Sequence, residues 1–136
     1  MADVFKPWLT ELLNAHGAVA GTVHLRCGDE LELVAAVNIP EQVVEVVRRV
    51  PRGKGMAGLA LERNVPVLTC DLQTDTSGDV RPGARAVDAQ AAVALPVRDE
   101  MGEVRATVGL AFAEERVLQA AELDRLGKAA QALPQG

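Results

Sequence analysis

Aromatic side chains are scarce in this sequence: it has no tyrosine, and Phe5, Trp8 and Phe112 make up its 2% aromatic content. Nucleic-acid-binding proteins stack bases on aromatic rings and carry an excess of Lys and Arg. Here 19 Asp and Glu outnumber 14 Lys and Arg, which gives a net charge of −5. We therefore expect no nucleic-acid partner.

Cysteine and histidine are equally sparse, and their positions give little support for a metal or haem. Cys27 and Cys70 form no CxxC pair, so the sequence predicts neither a disulfide framework nor a cysteine-based metal site. His16 and His24 lie far apart, with no cysteine or carboxylate at the spacing of metal ligands. We expect no bound metal or haem, and the identity of any other cofactor stays open.

Long apolar runs are missing as well. No stretch approaches the roughly 18–20 apolar residues of a membrane span, and the N-terminus has no apolar run of signal-peptide length. The sequence therefore predicts a cytoplasmic protein without a membrane partner. Its 136 residues, 49% of them hydrophobic, suit one domain with its own core, so we expect a single domain over 1–136.

Hydrophobic periodicity predicts an α+β domain built from helices and antiparallel hairpins. The predicted strands are 18–27, 31–37, 65–69, 91–97 and 104–112. The predicted helices are 5–16, 43–50, 56–63 and 118–133. Pro51 is expected to end the second helix, and Pro66 places its short strand at a sheet edge. The polar segment 71–88 has no clear period, and the sequence does not decide whether it is a lid.

A glycine-rich motif, GKGMAG at 53–58, matches the GxGxxG pattern of dinucleotide-binding folds. Such a fold needs a buried parallel strand before the motif and a long crossover helix after it. Here the preceding residues are predicted to end a helix, and the following helix has about two turns, so we do not favour this interpretation. A basic cluster beside the loop is either an anion site or solvated surface charge, and comprises Arg48, Arg49, Arg52 and Lys54.

The order of several short motifs resembles the GAF domain family. The glycine loop extended to Ala60 is followed by a strand that ends at Cys70-Asp71-Leu72, then by Ala94-Leu95-Pro96-Val97 and by Val108-Gly109-Leu110. The resemblance covers Leu9 to Leu133. It implies a twisted antiparallel sheet of five to six strands, with the N- and C-terminal helices packed on one face. On the other face, short helices and loops would form a small-molecule pocket.

The same resemblance implies a function. GAF domains are mostly sensory or dimerising modules, so we expect a non-catalytic small-molecule-sensing or signalling module. With one domain and no output domain, it would act in trans, as a homodimer, on a kinase or another regulator. Amphipathic terminal helices support the dimer, and the last one carries Ala120, Ala121, Ala129 and Ala130, which permit close helix approach. The alternative is that these helices pack only on their own sheet.

Six residues are candidates for contact with the ligand, each with a structural alternative. His24 either lines the pocket or is a solvated strand histidine, and Asp71 either reaches the pocket or caps a turn. Met56 and Leu59 open the short helix, where core packing explains them equally well. The predicted ligand-binding residues are His24, Met56, Leu59, Cys70, Asp71 and Leu95.

Specialised GAF subfamilies offer two further alternatives. Free methionine-(R)-sulfoxide reductases of this family use three cysteines, and this sequence has Ala57 at the position inside the glycine loop and lacks the other two. A divergent reductase would depend on Cys70, whereas a ligand-free dimerisation or scaffold module would need no site. Bilin-binding members attach their chromophore through a cysteine often followed by histidine, which neither Cys27-Gly28 nor Cys70-Asp71 matches, so we expect no covalent chromophore.

Overall fold

Six strands and four helices make up the computed structural model, which describes residues 4–69, 91–113 and 119–134. The helices are α1 (Phe5–His16), α2 (Glu41–Val47), α3 (Gly55–Arg63) and α4 (Ala120–Gln131). The strands are β1 (Ala20–Cys27), β2 (Glu30–Val37), β3 (Arg49–Pro51), β4 (Val67–Thr69), β5 (Ala91–Arg98) and β6 (Val104–Phe112). The predicted α+β class is confirmed, whereas the segment 71–88 lies outside the described residues.

All six strands join one antiparallel sheet in the order β3-β2-β1-β6-β5-β4. Two three-stranded halves, one from each half of the chain, meet where β1 pairs with β6. In that seam Ala20 lies opposite Ala111, Val23 opposite Val108 and Leu25 opposite Ala106. Strand β1 therefore lies between β2, its neighbour in sequence, and β6, the last strand of the chain.

The two faces of the sheet are covered by different helices. On one face, Val23, Val108 and Leu95 belong to the main core together with Leu9 of α1 and Leu126 of α4. On the other face lie smaller clusters that involve α2 and α3. This is the layer arrangement predicted from the resemblance, with the terminal helices together on one side.

Glycines at the β1–β6 seam allow close packing on both faces. A Cβ on Gly21 would lie 2.9 Å from the Gly109 carbonyl oxygen and 2.9 Å from a methyl of Leu13, so glycine lets α1 approach the sheet. A Cβ on Gly109 would lie 2.7 Å from Thr22 Oγ1. Gly109 therefore makes room for the Thr22 side chain on the opposite face, where α2 and α3 lie.

The predicted helix 43–50 is too long. Helix α2 ends at Val47, and residues 49–51 form the edge strand β3, in which Val50 pairs with Leu31 of β2. Val50 is only 3% exposed and packs beside Leu31 and Leu61, as suits a β-branched side chain on a sheet. Helical spacing cannot distinguish this arrangement, because Val50 continues the apolar pattern of α2.

A polar bridge connects the helices of the two faces around the β4 side of the sheet. Asn64, in a left-handed conformation (φ 55°) at the end of α3, accepts a hydrogen bond from Arg98 Nε at 2.6 Å through its Oδ1. Arg98 also donates to the Asn64 carbonyl at 2.7 Å. The Gln131 amide of α4 accepts from the Arg98 backbone N–H and donates to the Pro96 carbonyl, both at 3.0 Å. This end of the sheet thereby holds α3 and α4 in one network.

The alanines of α4 only partly support a dimer surface. Ala130 is fully buried and Ala129 packs against the main core, whereas Ala120 and Ala121 are exposed. Two of the four predicted interface alanines thus pack on the protein's own sheet. No helix in the described part of the chain has the length and apolarity needed to cross a bilayer.

Two glycine substitutions should change stability in opposite directions. A Cβ on Gly58 would lie 2.5 Å from the Pro51 carbonyl oxygen, so Gly58→Ala should lower the free energy of unfolding by about 1–3 kcal/mol. Gly127 lies in α4 with no neighbour within 4 Å of its Cβ position, so Gly127→Ala should raise that free energy by about 0.5–1 kcal/mol. Urea denaturation of both variants measures the difference, and equal stabilities would contradict this account of Gly58.

Candidate ligand-binding site

A two-lobed cavity lies on the face of the sheet covered by α2 and α3. The first lobe measures about 150 Å³ and is bounded by β1, α2 and the start of α3. The second, of about 130 Å³, lies over the strands of the β1–β6 seam and over β5. The two lobes share Thr22, Ile39, Met56 and Ala57. These shared residues join the lobes into one candidate site.

The walls of the first lobe are mostly apolar. Ile39, Val43 and Val47 line it from the α2 side, and Met56 and Ala57 line it from α3. Its polar lining residues are Thr22, His24 and Lys54. A mostly apolar hollow with a few polar groups is typical of small-molecule sites.

The glycine loop at the start of α3 closes on itself. The Gly53 N–H donates to the Gly58 carbonyl at 2.9 Å, and the Gly58 N–H donates to the Lys54 carbonyl at 3.1 Å. The strand before the loop is the three-residue antiparallel β3, which also corrects the expectation that a helix ends there. These glycines form a strand-to-helix turn, and no parallel strand precedes it as a dinucleotide fold requires.

His24 is the buried polar residue of the first lobe. It is 2% exposed, which overturns the alternative that it is a solvated strand histidine. Its Nε2 lies 2.9 Å from the Val47 carbonyl oxygen. A carbonyl only accepts, so Nε2 carries the proton and Nδ1 of the neutral ring is an acceptor. The imidazole thereby ties the end of α2 to the sheet.

Two buried polar atoms beside this tie have no hydrogen-bond partner among the described residues. They are His24 Nδ1 and Thr107 Oγ1, which belong to residues directly opposite each other on β1 and β6. Thr107 is 1% exposed. Leaving such an atom unpaired costs about 1–3 kcal/mol. The two polar side chains therefore lower the stability of this part of the sheet.

Burial of His24 also changes its protonation. Desolvation lowers the pKa of His24 below its ordinary value of 6.5, and the hydrogen bond to Val47 acts in the opposite direction as the smaller effect. The ring is therefore neutral at pH 7. As a neutral side chain it can accept a hydrogen bond at Nδ1 without adding charge to the lobe.

The structure separates the six predicted site residues. His24 and Met56 line the cavity. Leu59 instead packs against Val67 and Ala94 in a separate buried cluster, so it is a core residue, as its alternative stated. Leu95 lies in the main core on the opposite face of the sheet, where it lines a hollow beside α4 instead of this cavity. Cys70 and Asp71 lie outside the described residues.

The predicted ligand-binding residues include His24 and Met56 but none of the other eight residues that line the first lobe. Thr22 shares a strand face with His24, so the alternation of β1 contained the signal for it. Ala57 and Lys54 belong to the glycine loop, whose sequence pattern gives no sign that the loop forms a wall of the cavity.

The basic cluster beside the loop divides between two roles. Arg48 pairs with Glu45 at 2.6 Å, and Arg49 pairs with Glu30 at 3.4 Å. Arg52 lies 3.5 Å from Asp29. These three arginines are exposed and paired, as surface charge, whereas Lys54 is exposed and is also a lining residue of the first lobe.

The thiol of Cys27 is exposed at the end of β1. Alternation along the strand places its side chain on the face of Val23 and Leu25, away from the cavity. Among the described residues, no three His, Cys, Asp or Glu side chains lie close enough together to hold a metal ion.

Comparison with known proteins adds a family match. A family model described as GAF domain matches residues 2–133. A search of curated proteins found no significant match.

Solved structures of similar fold include signalling domains and enzymes. The GAF domain of a phosphoenolpyruvate-protein phosphotransferase from Coxiella burnetii aligns over 95% of this chain and 77% of its own, with a TM-score of 0.76 and 22% identity. The second GAF domain of DevS from Mycobacterium smegmatis aligns over 96% of this chain and 88% of its own, with a TM-score of 0.68 and 21% identity. A type II free methionine-R-sulfoxide reductase from Thermoplasma acidophilum aligns over 92% of this chain and 83% of its own, with a TM-score of 0.72 and 16% identity. At these identities the similarity establishes the fold and does not choose between the functions.

The lowered pKa of His24 predicts how stability depends on pH. The unfolded chain binds a proton at His24 more readily than the folded protein, so stability from this residue is complete above pH 6.5 and is lost as the pH falls below it. The loss is at most about 1.4 kcal/mol for each pH unit. Urea denaturation between pH 7.5 and 5.5 should therefore show a smaller loss for His24→Gln than for the parent.

The matched control for this experiment is His16→Gln, which retains His24 and should keep the parental loss of stability. An equal pH dependence in His24→Gln and the parent would contradict the assignment to His24.

Proposed function

Because the chain belongs to the GAF domain family, we propose that it is a non-catalytic module that senses a small molecule through the cavity beneath α2 and α3. The observation that carries this proposal is the buried His24 in the wall of an otherwise apolar lobe. Burying a polar ring there costs free energy that a stability-only design would avoid by using an aliphatic residue. A ligand-binding role provides a reason for it.

The size and lining of the cavity restrict the ligand. Each lobe is smaller than the roughly 300–1,000 Å³ of common drug-sized sites, so the ligand is a small metabolite rather than a nucleotide. Apolar walls from Ile39, Val43 and Val47 favour a ligand with an aliphatic part. Polar groups at Thr22 and His24 would then fix its orientation.

A divergent reductase is the enzymatic alternative, and its support is the similarity in fold to free methionine-R-sulfoxide reductases from Thermoplasma acidophilum, Neisseria meningitidis and Staphylococcus aureus. Ala57 argues against it, because this methyl group lines both lobes at the position where the reductases carry a thiol. Cys27 faces the other side of the sheet. The reductase hypothesis therefore depends on Cys70.

Signal output belongs to the same proposal. We propose a homodimer that regulates a kinase or another regulator in trans. The exposed alanines Ala120 and Ala121 of α4 are available for helix pairing between subunits.

A metabolite panel tests ligand binding. A ligand at about 100 times its Kd stabilises the folded state by about 2.7 kcal/mol, so at least one compound should raise the melting temperature by several degrees. Ala57→Leu, which fills the junction of the lobes, should abolish that shift. Ala15→Leu adds the same bulk at an exposed position of α1 and should preserve it.

Two outcomes would contradict the sensor. A panel without any stabilising compound would favour the ligand-free scaffold alternative. A shift that survives Ala57→Leu would place the ligand outside the cavity.

The reductase alternative has its own test. We expect no reduction of free methionine-(R)-sulfoxide in a thioredoxin-coupled assay. Turnover that disappears in Cys70→Ser and persists in Cys27→Ser would replace the non-catalytic proposal with an enzymatic one.

A further inference from the structure

One end of α3 lines the cavity, and the other end belongs to the polar bridge formed by Asn64, Arg98 and Gln131. The first turn of α3 supplies Met56 and Ala57 to both lobes. The helix has nine residues, which at a rise of about 1.5 Å per residue separates its ends by about 13 Å. A hydrogen-bonded helix of this length moves as one unit, so a restraint at the cavity reaches Asn64.

Three hydrogen bonds hold Asn64 to the β5–β6 hairpin. Arg98 donates from Nε to the Asn64 Oδ1 and from Nη2 to the Asn64 carbonyl, at 2.6 and 2.7 Å. Asn64 Nδ2 donates to the Gly102 carbonyl at 3.0 Å. Bonds from a charged guanidinium are shorter and stronger than bonds between neutral groups. The Arg98 side chain therefore follows the position of the α3 end.

The backbone of Arg98 is bonded to the helix on the opposite face of the sheet. Its N–H donates to Gln131 Oε1 at 3.0 Å, and Gln131 Nε2 donates to the Pro96 carbonyl at 3.0 Å. Gln131 is the last residue of α4. The pairing of β5 with β6 changes register between Val97 and Arg98, where a bulge interrupts the regular ladder. One residue thus holds α3 by its side chain and α4 by its backbone.

We propose that this polar bridge couples occupancy of the cavity to the order of the last turn of α4. The proposal rests on the proposed function and names the route by which a bound molecule acts on α4. An occupant adds contacts to the first turn of α3 and restrains that helix. Through Arg98 the restraint reaches Gln131, so the end of α4 opens less often. Rigidification of this kind couples two sites without a change in the average structure.

The two arms of the bridge can be removed separately. The link to α3 uses the Arg98 side chain, whereas the link to α4 uses the Arg98 N–H, which every residue except proline retains. Arg98→Met therefore disconnects α3 and keeps the bond to Gln131. Gln131→Met removes the other arm and keeps Arg98 on Asn64. Both residues are exposed, so we expect both variants to fold.

Amide hydrogen exchange followed by NMR tests the coupling, with Ala57→Leu as the probe for a filled cavity. The added side chain occupies the junction of the lobes. It should slow exchange of the Ala130 and Gln131 amides by about threefold or more relative to the Leu12 amide of α1. The ratio to Leu12 removes changes in global stability, which act on both helices.

The same comparison in further backgrounds tests the route. In Arg98→Met and in Gln131→Met, the addition of Ala57→Leu should leave the exchange ratio unchanged, because one arm of the bridge is missing. Arg105→Met is the matched control, since Arg105 holds the same end of α4 from β6 by donating to the Leu133 carbonyl at 2.7 Å. It should speed exchange in α4 and keep the response to Ala57→Leu. A bridge with a purely structural role would alter α4 in the variants without altering that response.

The coupling is overturned if Ala57→Leu leaves the exchange ratio of the parent unchanged or raises it, or if the response is equal with and without the Arg98 side chain. Ala57→Val adds less bulk and gives the same test with a smaller expected change, should the leucine variant not fold. These results leave ligand binding itself untouched, because the metabolite panel measures it independently. A stabilising compound that does not slow exchange in α4 would keep the sensor and exclude this route.

Discussion

The pairing of β1 with β6 is the interaction on which the rest of this protein depends. It joins the two halves of the sheet, and both of its strands are needed to form either face. Gly21 and Gly109 lie in adjacent pairs of this seam. The first permits α1 to pack closely on one face, and the second leaves space for Thr22 on the other. One short stretch of backbone therefore sets the helix approach and the cavity floor together.

On the cavity side, a hydrogen bond helps to hold a helix on the sheet, whereas apolar packing holds the helices on the other face. The α1–α4 face is filled by a large aliphatic cluster, whereas α2 is held by Val43 and by the bond from His24 to the Val47 carbonyl. A short helix with little buried area leaves a hollow beside it. The arrangement gives up packing at the place where a ligand would be held, as binding sites commonly do.

Much of the fold can be predicted from the sequence pattern. The parts that cannot be predicted have one physical reason in common. The four long strands lie within two residues of their predicted bounds, and α3 ends at Arg63 as predicted. Val50 fits a helical stripe and a strand equally well, and neighbouring strands rather than local spacing place it in β3. The position of Leu95 on the α1–α4 face has a related reason: helices cover both faces of the sheet, so both faces of β5 are apolar and alternation does not identify the cavity side.

The candidate site shows the same division between local and tertiary information. The glycine loop is visible in the sequence as a GxGxxG motif. Met56, one of the predicted ligand-binding residues, lines the cavity. The burial of His24 depends on α2 lying across β1, which no local pattern around this histidine encodes. The wall residues Thr22 and Ala57 have small side chains of common types. Only the tertiary structure identifies them as cavity residues.

The short outer strands have a consequence for how copies of this protein meet. The sheet ends on one side in three-residue β3, which closes on Pro51, and on the other in three-residue β4, which directly follows Pro66. Proline has no N–H to offer, and three residues present too few free backbone groups to template an incoming strand. Among the described residues, the outermost strand on each side therefore offers little free backbone to an incoming strand from another copy.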